Sequence, residues 1–160
     1  QDFSIMGTIF FNLIKKIRKF IFWVWEQKGS PYQRACGFGL GVFSACFPFF
    51  GLQTLMGVLL AKIFNANSLL AALGTWISNP MTYLPLYLFN YRIGSFFLEG
   101  KETSLHLSHI SENQLWSQGW YLSSRLLLGS VIVGFISGLF SAICLYFLFK
   151  SLSSQKKKQG

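Results

Sequence analysis

The sequence predicts an all-α integral membrane protein. It would have an N-terminal amphipathic interfacial helix, re-entrant or broken helices at Pro48 and at Asn79-Pro80, and a C-terminal transmembrane helix. Three observations lead there. Of 160 residues, 52% are hydrophobic and only 12% charged, where a soluble domain carries about a quarter charged residues. A chain this short cannot hide so much apolar surface behind so few charges. Uncharged stretches run over 35–61, 63–91 and 126–149. The net charge of +9 is gathered at the two ends.

Residues 1–34 carry Lys15, Lys16, Arg18, Lys19, Lys28 and Arg34 against Asp2 and Glu26, and the tail carries Lys150, Lys156, Lys157 and Lys158. The segment 99–125 is slightly acidic. Positive charge favours the cytoplasmic side, so both termini are expected there and 99–125 on the other face. The domains follow as an interfacial helix over 1–30, a membrane domain over 31–150 and a basic cytoplasmic tail over 151–160. A nucleic-acid partner is not expected, because the basic residues lie in no recognisable nucleic-acid-binding segment. No secretory signal is read, since the first apolar stretch precedes its positive charges. Cys36, Cys46 and Cys144 sit in apolar segments without metal spacing and read as buried free thiols.

Along the chain, Asn12, Lys15, Lys16, Lys19 and Glu26 recur at helical steps, with Trp23 and Trp25 among the apolar positions. Such a helix, spanning 5–28, lies in a membrane surface and meets anionic lipid. Ser30-Pro31 reads as an N-cap followed by proline in the first turn. Pro48, in Cys46-Phe47-Pro48-Phe49-Phe50-Gly51, splits the next apolar run into helices 31–47 and 52–64. The second is about 20 Å long, short of the roughly 30 Å hydrocarbon core. After Asn65-Ala66-Asn67-Ser68, a polar turn with a good cap, the piece 68–78 is again too short to span. Asn79 can cap, and Pro80 open, a helix ending near Leu98. In the loop 99–125, Ser111-Glu112-Asn113-Gln114 fits a capping box and Gly119 a helix stop. The stretch 126–149 is a clean span. Within it Ser130, Gly134, Gly138 and Ala142 fall at four-residue steps, a face suited to close helix packing with this chain or another.

Charge placement requires an odd number of crossings between Arg34 and Glu99. One solution makes 31–64 a re-entrant hairpin and 68–98 a single discontinuous crossing. Irregular backbone at membrane depth must be buried in protein or line a wet cavity, so two breaks imply a polar centre. Helix N-termini there suit an anion, and transporter sites are often built from broken helices near the midplane. The binding candidates are therefore Gln53, Thr54, Asn79 and Thr82, with Pro48, Gly51 and Pro80 shaping the breaks. Arg92 is a further candidate, although its position also suits snorkelling to headgroups.

The order Gly37-Phe38-Gly39-Leu40-Gly41-Val42-Phe43, Pro48-Phe49-Phe50-Gly51-Leu52-Gln53-Thr54, then Gly74-Thr75-Trp76-Ile77-Ser78-Asn79-Pro80-Met81-Thr82 with Pro85 and Tyr87 resembles a bacterial membrane family. That family is Domain of Unknown Function 2062. The resemblance covers most of 30–150 and implies an integral membrane protein of bacteria, cyanobacteria included, in a cytoplasmic or thylakoid membrane. It implies no established activity. Some relatives carry glycosyltransferase domains of the kind that use polyprenyl-phosphate sugars; this chain has no such domain. The family motifs fall on Pro48, Gly51, Gln53, Thr54, Asn79, Pro80 and Thr82.

Two function classes follow. The first is a small transporter or lipid-handling protein, binding an anionic lipid or polyprenyl-phosphate headgroup at the breaks. The second is a structural or assembly subunit of a larger membrane complex, or a homo-oligomer packed through the small-residue stripe. An enzyme is not expected. No nucleophile–base pair, phosphate loop or intramembrane carboxylate pair is present. No cofactor is implied, and His106 and His109 read as solvated loop histidines rather than metal ligands.

Overall fold

The computed structural model describes residues 27–49, 51–98 and 112–156, together with positions 11, 12, 14–16, 18, 19 and 23. These last are helical, with the Lys15 ammonium 4.6 Å from the Phe11 ring centroid. The rest of the expected interfacial helix, the loop over 99–111 with His106 and His109, and the tail over 157–160 lie outside the described residues. Among the described residues all regular structure is helical.

Helix α1, Pro31–Ala45, starts as its sequence demands. The Ser30 hydroxyl accepts from Gln33 N, the Gln33 side chain accepts from Ser30 N, and Pro31 stands in the first turn. It ends before Pro48, which disfavours helical backbone at the preceding residue. Gly51 then turns the chain with φ +81°, a left-handed conformation glycine adopts without strain. Helix α2, Leu52–Ile63, runs back beside α1. Its end is tied to the beginning of α1, where Asn67 N donates to Gln33 O at 2.9 Å and Asn67 Nδ2 to Lys28 O at 2.8 Å.

Helix α3, Ser68–Gly74, is capped by Asn67 and prolonged by a 3-10 turn, Thr75–Ile77. It runs parallel to α1 at backbone contact. A Cβ at Gly37 would collide with the Asn67 carbonyl, and one at Gly41 with the Ala71 carbonyl. Helix α4, Tyr83–Phe97, continues in the same direction beyond the second break. Its start is three residues later than Pro80. Asn79 caps a preliminary turn instead, its Oδ1 accepting from Met81 N and Thr82 N, while its carbonyl takes Thr82 N and Tyr83 N.

Helix α5, Glu112–Lys156, is 45 residues long. Gly119 does not stop it, contrary to the sequence reading. One glycine costs a helix only about 1 kcal/mol, too little to end so long and apolar a run. The segment 112–125 is therefore the first part of this helix rather than irregular loop. Gly119–Ser151 is long and apolar enough to cross a membrane, yet only 11% of its apolar window is buried. The central helix of a soluble domain would be mostly covered.

Helix α5 is the spine. Its C-terminal half takes α1, where Ala35, Leu70 and Phe149 form the core with Phe38, Leu73, Leu145 and Tyr146 packed around them. Its N-terminal half takes α4 at two close crossings. A Cβ at Gly94 would strike the Arg125 carbonyl, and one at Gly129 the Asn90 carbonyl. The stripe Ser130, Gly134, Gly138 and Ala142 is used within the chain: Gly39 lies against Gly138 O and Ala142, and Gly134 against Phe43 and Cys46. Cys46 is buried, Cys36 half-buried and Cys144 exposed, so the expectation of three buried thiols holds fully only for Cys46.

Candidate functional site

The two breaks meet. Gln53, in the first turn of α2 and 4% exposed, donates from Nε2 to Ser78 O at 3.3 Å, in the second break. Thr54 and Thr75 are joined through their hydroxyls at 3.0 Å, and Thr75 Oγ1 also donates to Ala72 O at 2.7 Å. The single Thr75 proton is thereby engaged, so Thr54 is the donor between them. On α4, the Tyr87 hydroxyl donates to Phe47 O at 3.2 Å, and Ser78 lies beside it.

One turn further along α4, Asn90 is fully buried. Its Nδ2 donates to Cys46 O at 2.8 Å and to Ser130 Oγ at 3.1 Å. Asn90 therefore ties the end of α1, the middle of α4 and the spine. A polar seam results, built from Gln53, Thr54, Thr75, Tyr87, Asn90 and Ser130, inside a largely apolar molecule.

Three side-chain oxygens at this seam, Gln53 Oε1, Asn90 Oδ1 and the Ser78 hydroxyl, are buried without a hydrogen-bond partner. The orientation of both amides is set by their partners. Rotating either would turn its oxygen toward a carbonyl, Ser78 O or Cys46 O, so the NH₂ must face that way. The carbonyls involved belong to the C-terminal end of α1 and the end of the 3-10 turn, the negative ends of those elements. The sequence reading looked to helix starts; Gln53 and Thr54 do stand in the first turn of α2, and the carbonyl that Gln53 meets follows the 3-10 turn.

Other candidates fall differently. Asn79 is exposed, and its amide oxygen serves its own turn. Thr82 Oγ1 donates to Ile77 O at 2.7 Å and accepts from Asn79 N at 2.8 Å. Both hold the second break in shape. Arg92 is exposed on the outer side of α4. Lys62 is exposed at the end of α2. Arg125 is 5% exposed. Its guanidinium stacks on Tyr121 and donates to Tyr121 O and Leu98 O, both at 3.2 Å, so it closes the end of α4 onto the spine. Arg34 is also buried, 4.9 Å from the Phe149 ring centroid. Among the described residues no group of His, Cys, Asp and Glu could hold a metal.

Along α1 and α5 runs an apolar groove of about 650 Å³. Tyr32 and Tyr146 mark one end, where the Lys150 ammonium stands 5.7 Å from the Tyr146 ring centroid. Phe43 and Gly134 mark the other, and Gly134 lies against Cys46, whose carbonyl receives the Asn90 amide. The groove thus runs from the basic end of the molecule to a point beside Cys46, next to the seam. At about 1.5 Å per residue, Ser130 stands about 8 Å from Arg125 and about 30 Å from Lys150 along the spine. Along the spine the seam lies nearer Arg125 than Lys150.

Over residues 14–159 the chain matches the family described as "Uncharacterized protein conserved in bacteria (DUF2062)". No curated protein and no solved structure matches it. The chain belongs to that bacterial family.

Proposed function

With that membership as the premise, we propose that the chain is an integral membrane protein that takes up an amphiphile. The amphiphile's hydrocarbon chain lies in the α1–α5 groove and its polar group reaches the seam where the two breaks meet. The observation that carries this reading is the continuity of groove and seam. Phe43 and Gly134 line the former and lie against Cys46, whose carbonyl receives the Asn90 amide of the latter. Insertion in a membrane is supported by the sparse burial of Gly119–Ser151.

In this reading the N- and C-terminal basic clusters face the cytoplasm and contact anionic lipid. The segment 31–67 enters and returns, supported by the bonds from Asn67 to Lys28 and Gln33. Residues 68–98 cross once, in two pieces, and α5 crosses back. The role is transport or presentation of a lipid rather than catalysis, since the seam holds amides and hydroxyls and no acid–base pair. An assembly subunit is the second reading. It has less support, because the small-residue stripe that favours it is covered by the chain's own α1.

The test is native mass spectrometry of the chain released from membranes in mild detergent. Bound lipid is expected in the wild type and is expected to be lost in Leu139→Trp, which fills the groove from an exposed lining position. Equal lipid in both, or none in either, overturns the proposal. Single-cysteine labelling at Asn65 and His106 tests the topology. Asn65 is expected to react from the cytoplasmic face and His106 from the other; reaction of both from one face sinks it.

A further inference from the structure

We infer that the α1–α5 groove selects its amphiphile by length: it holds one hydrocarbon chain of about 14–16 carbons, whose methyl end stops between Tyr32 and Tyr146. The inference rests on the amphiphile reading and names the hydrocarbon part of the ligand.

The two walls of the groove agree on its length. Helices α1 and α5 run antiparallel along it, since Gly134 lies against Phe43 while Gly138, one turn on, lies against Gly39. In that register Phe43 and Gly134 share one end, and Tyr32 and Tyr146 the other. From Gly134 to Tyr146 the spine rises about 18 Å, and from Phe43 back to Tyr32 helix α1 covers about 17 Å. A hydrocarbon with every torsion trans advances about 1.25 Å per carbon, so about 14 carbons fill that length. About one or two more carry the chain to its polar group beside Cys46.

Both ends are polar, and the lining between them is apolar apart from the Cys36 thiol. At the near end Gly134 lies against Cys46, whose carbonyl receives the Asn90 amide. At the far end stand the hydroxyls of Tyr32 and Tyr146, with the exposed Lys150 ammonium 5.7 Å from the Tyr146 ring centroid. Lys150 keeps its charge in water, so apolar contact stops there. A longer chain must push methylenes against that end or fold out of the groove, and a shorter one leaves lining uncovered. Each methylene moved from apolar contact into water lowers binding about fourfold.

The volume decides the number of chains. A methylene fills roughly 27 Å³ at close packing, so one such chain takes about 400 Å³ and two take about 800 Å³. The groove, at about 650 Å³, admits one and not two. A second acyl chain of the same molecule stays in the bilayer, and a long polyprenyl chain overruns the Lys150 end.

The experiment uses the full chain in mild detergent. The probes are monoacyl phosphatidylglycerols and monoacyl phosphatidylethanolamines with saturated chains of roughly 10 to 24 carbons, offered as equimolar mixtures and read by native mass spectrometry. For both headgroups, maximal retention is expected at about 14–16 carbons, about tenfold above that at about 20. Ile143→Trp, at an exposed lining position about 14 Å from Gly134, is expected to move the maximum down to about 10–12 carbons. Lys150→Leu, which lengthens the apolar run by one turn, is expected to move it up to about 18–20. Either shift suffices if the other variant does not fold.

Retention that is equal at all lengths, that rises steadily with length, or whose maximum stays in place in both variants overturns the inference. In each of these cases probe lost in Leu139→Trp leaves the amphiphile reading standing. Retention of no probe by the wild type overturns the inference and that reading together.

Discussion

Replacing Asn90 by leucine tests the seam through stability alone. The side chain is fully buried and its amide makes two bonds, to Cys46 O and Ser130 Oγ. Each such bond contributes about 0.6–1.5 kcal/mol net, so their loss costs roughly 1–3 kcal/mol. Stranding the Cys46 carbonyl adds about 1 kcal/mol. Ser130 adds little, because a serine can bond back to its own helix. The expected total is about 2–4 kcal/mol. Leucine also removes Asn90 Oδ1. If that oxygen were bare in the working protein, its removal would return about 1–3 kcal/mol and bring the net change close to zero. The size of the effect therefore reports whether Oδ1 has a donor, such as an internal water. Equilibrium unfolding in mixed micelles measures it. A loss of about 2–4 kcal/mol is expected, and a change below about 1 kcal/mol would refute it.

Three further outcomes are expected. Gly94→Ala and Gly129→Ala each force a Cβ into a facing backbone carbonyl and should cost about 3 kcal/mol or more in the same unfolding assay, where Gly119→Ala, with open space around it, should be neutral or stabilising by up to about 1 kcal/mol. Arg125→Leu should lower stability by about 2 kcal/mol through loss of the Tyr121 stack and the bond to Leu98 O, whereas Arg92→Leu at its exposed position should stay within about 0.5 kcal/mol of wild type. Asn67→Ala removes both the cap on Leu70 N and the tie to Lys28 O. It should cost about 1–2 kcal/mol and raise amide hydrogen exchange at the start of α3 first.

The elements whose limits are set locally were readable in the chain. Ser30-Pro31, Pro48, Asn67 and Asn79-Pro80 each act through backbone rules that hold whatever surrounds them. The choice between Asn90 and Arg92 was not local. They stand two positions apart on α4, so they point to nearly opposite sides and only one can face inward. Which side faces in depends on Gly94 and Gly129, whose missing side chains let α4 approach the spine with Asn90 toward it. The burial of Arg125 was not local either. An arginine at the edge of an apolar run ordinarily snorkels, and only the neighbouring end of α4 gives it carbonyls to bind. Gln53 and Thr54 were singled out as helix-start residues for an anion. Their partners, Ser78 O and Thr75, lie in a different segment, so no pattern local to α2 names them.

The spine is synthesised after the helices it holds, and this sets an order of assembly. While residues 31–98 are emerging, Gly37, Gly41 and Gly74 already have their neighbours, so α1, α2 and α3 can dock as a unit. Phe149 and Ser130 do not yet exist, and neither does the surface on which α4 comes to rest. The short helices must wait, with apolar faces uncovered, for a span translated after them. A ribosome stalled before α5 is complete should therefore hold a chain whose hairpin is protected and whose α4 is open to protease, and each further turn of α5 should close it from the Arg125 end.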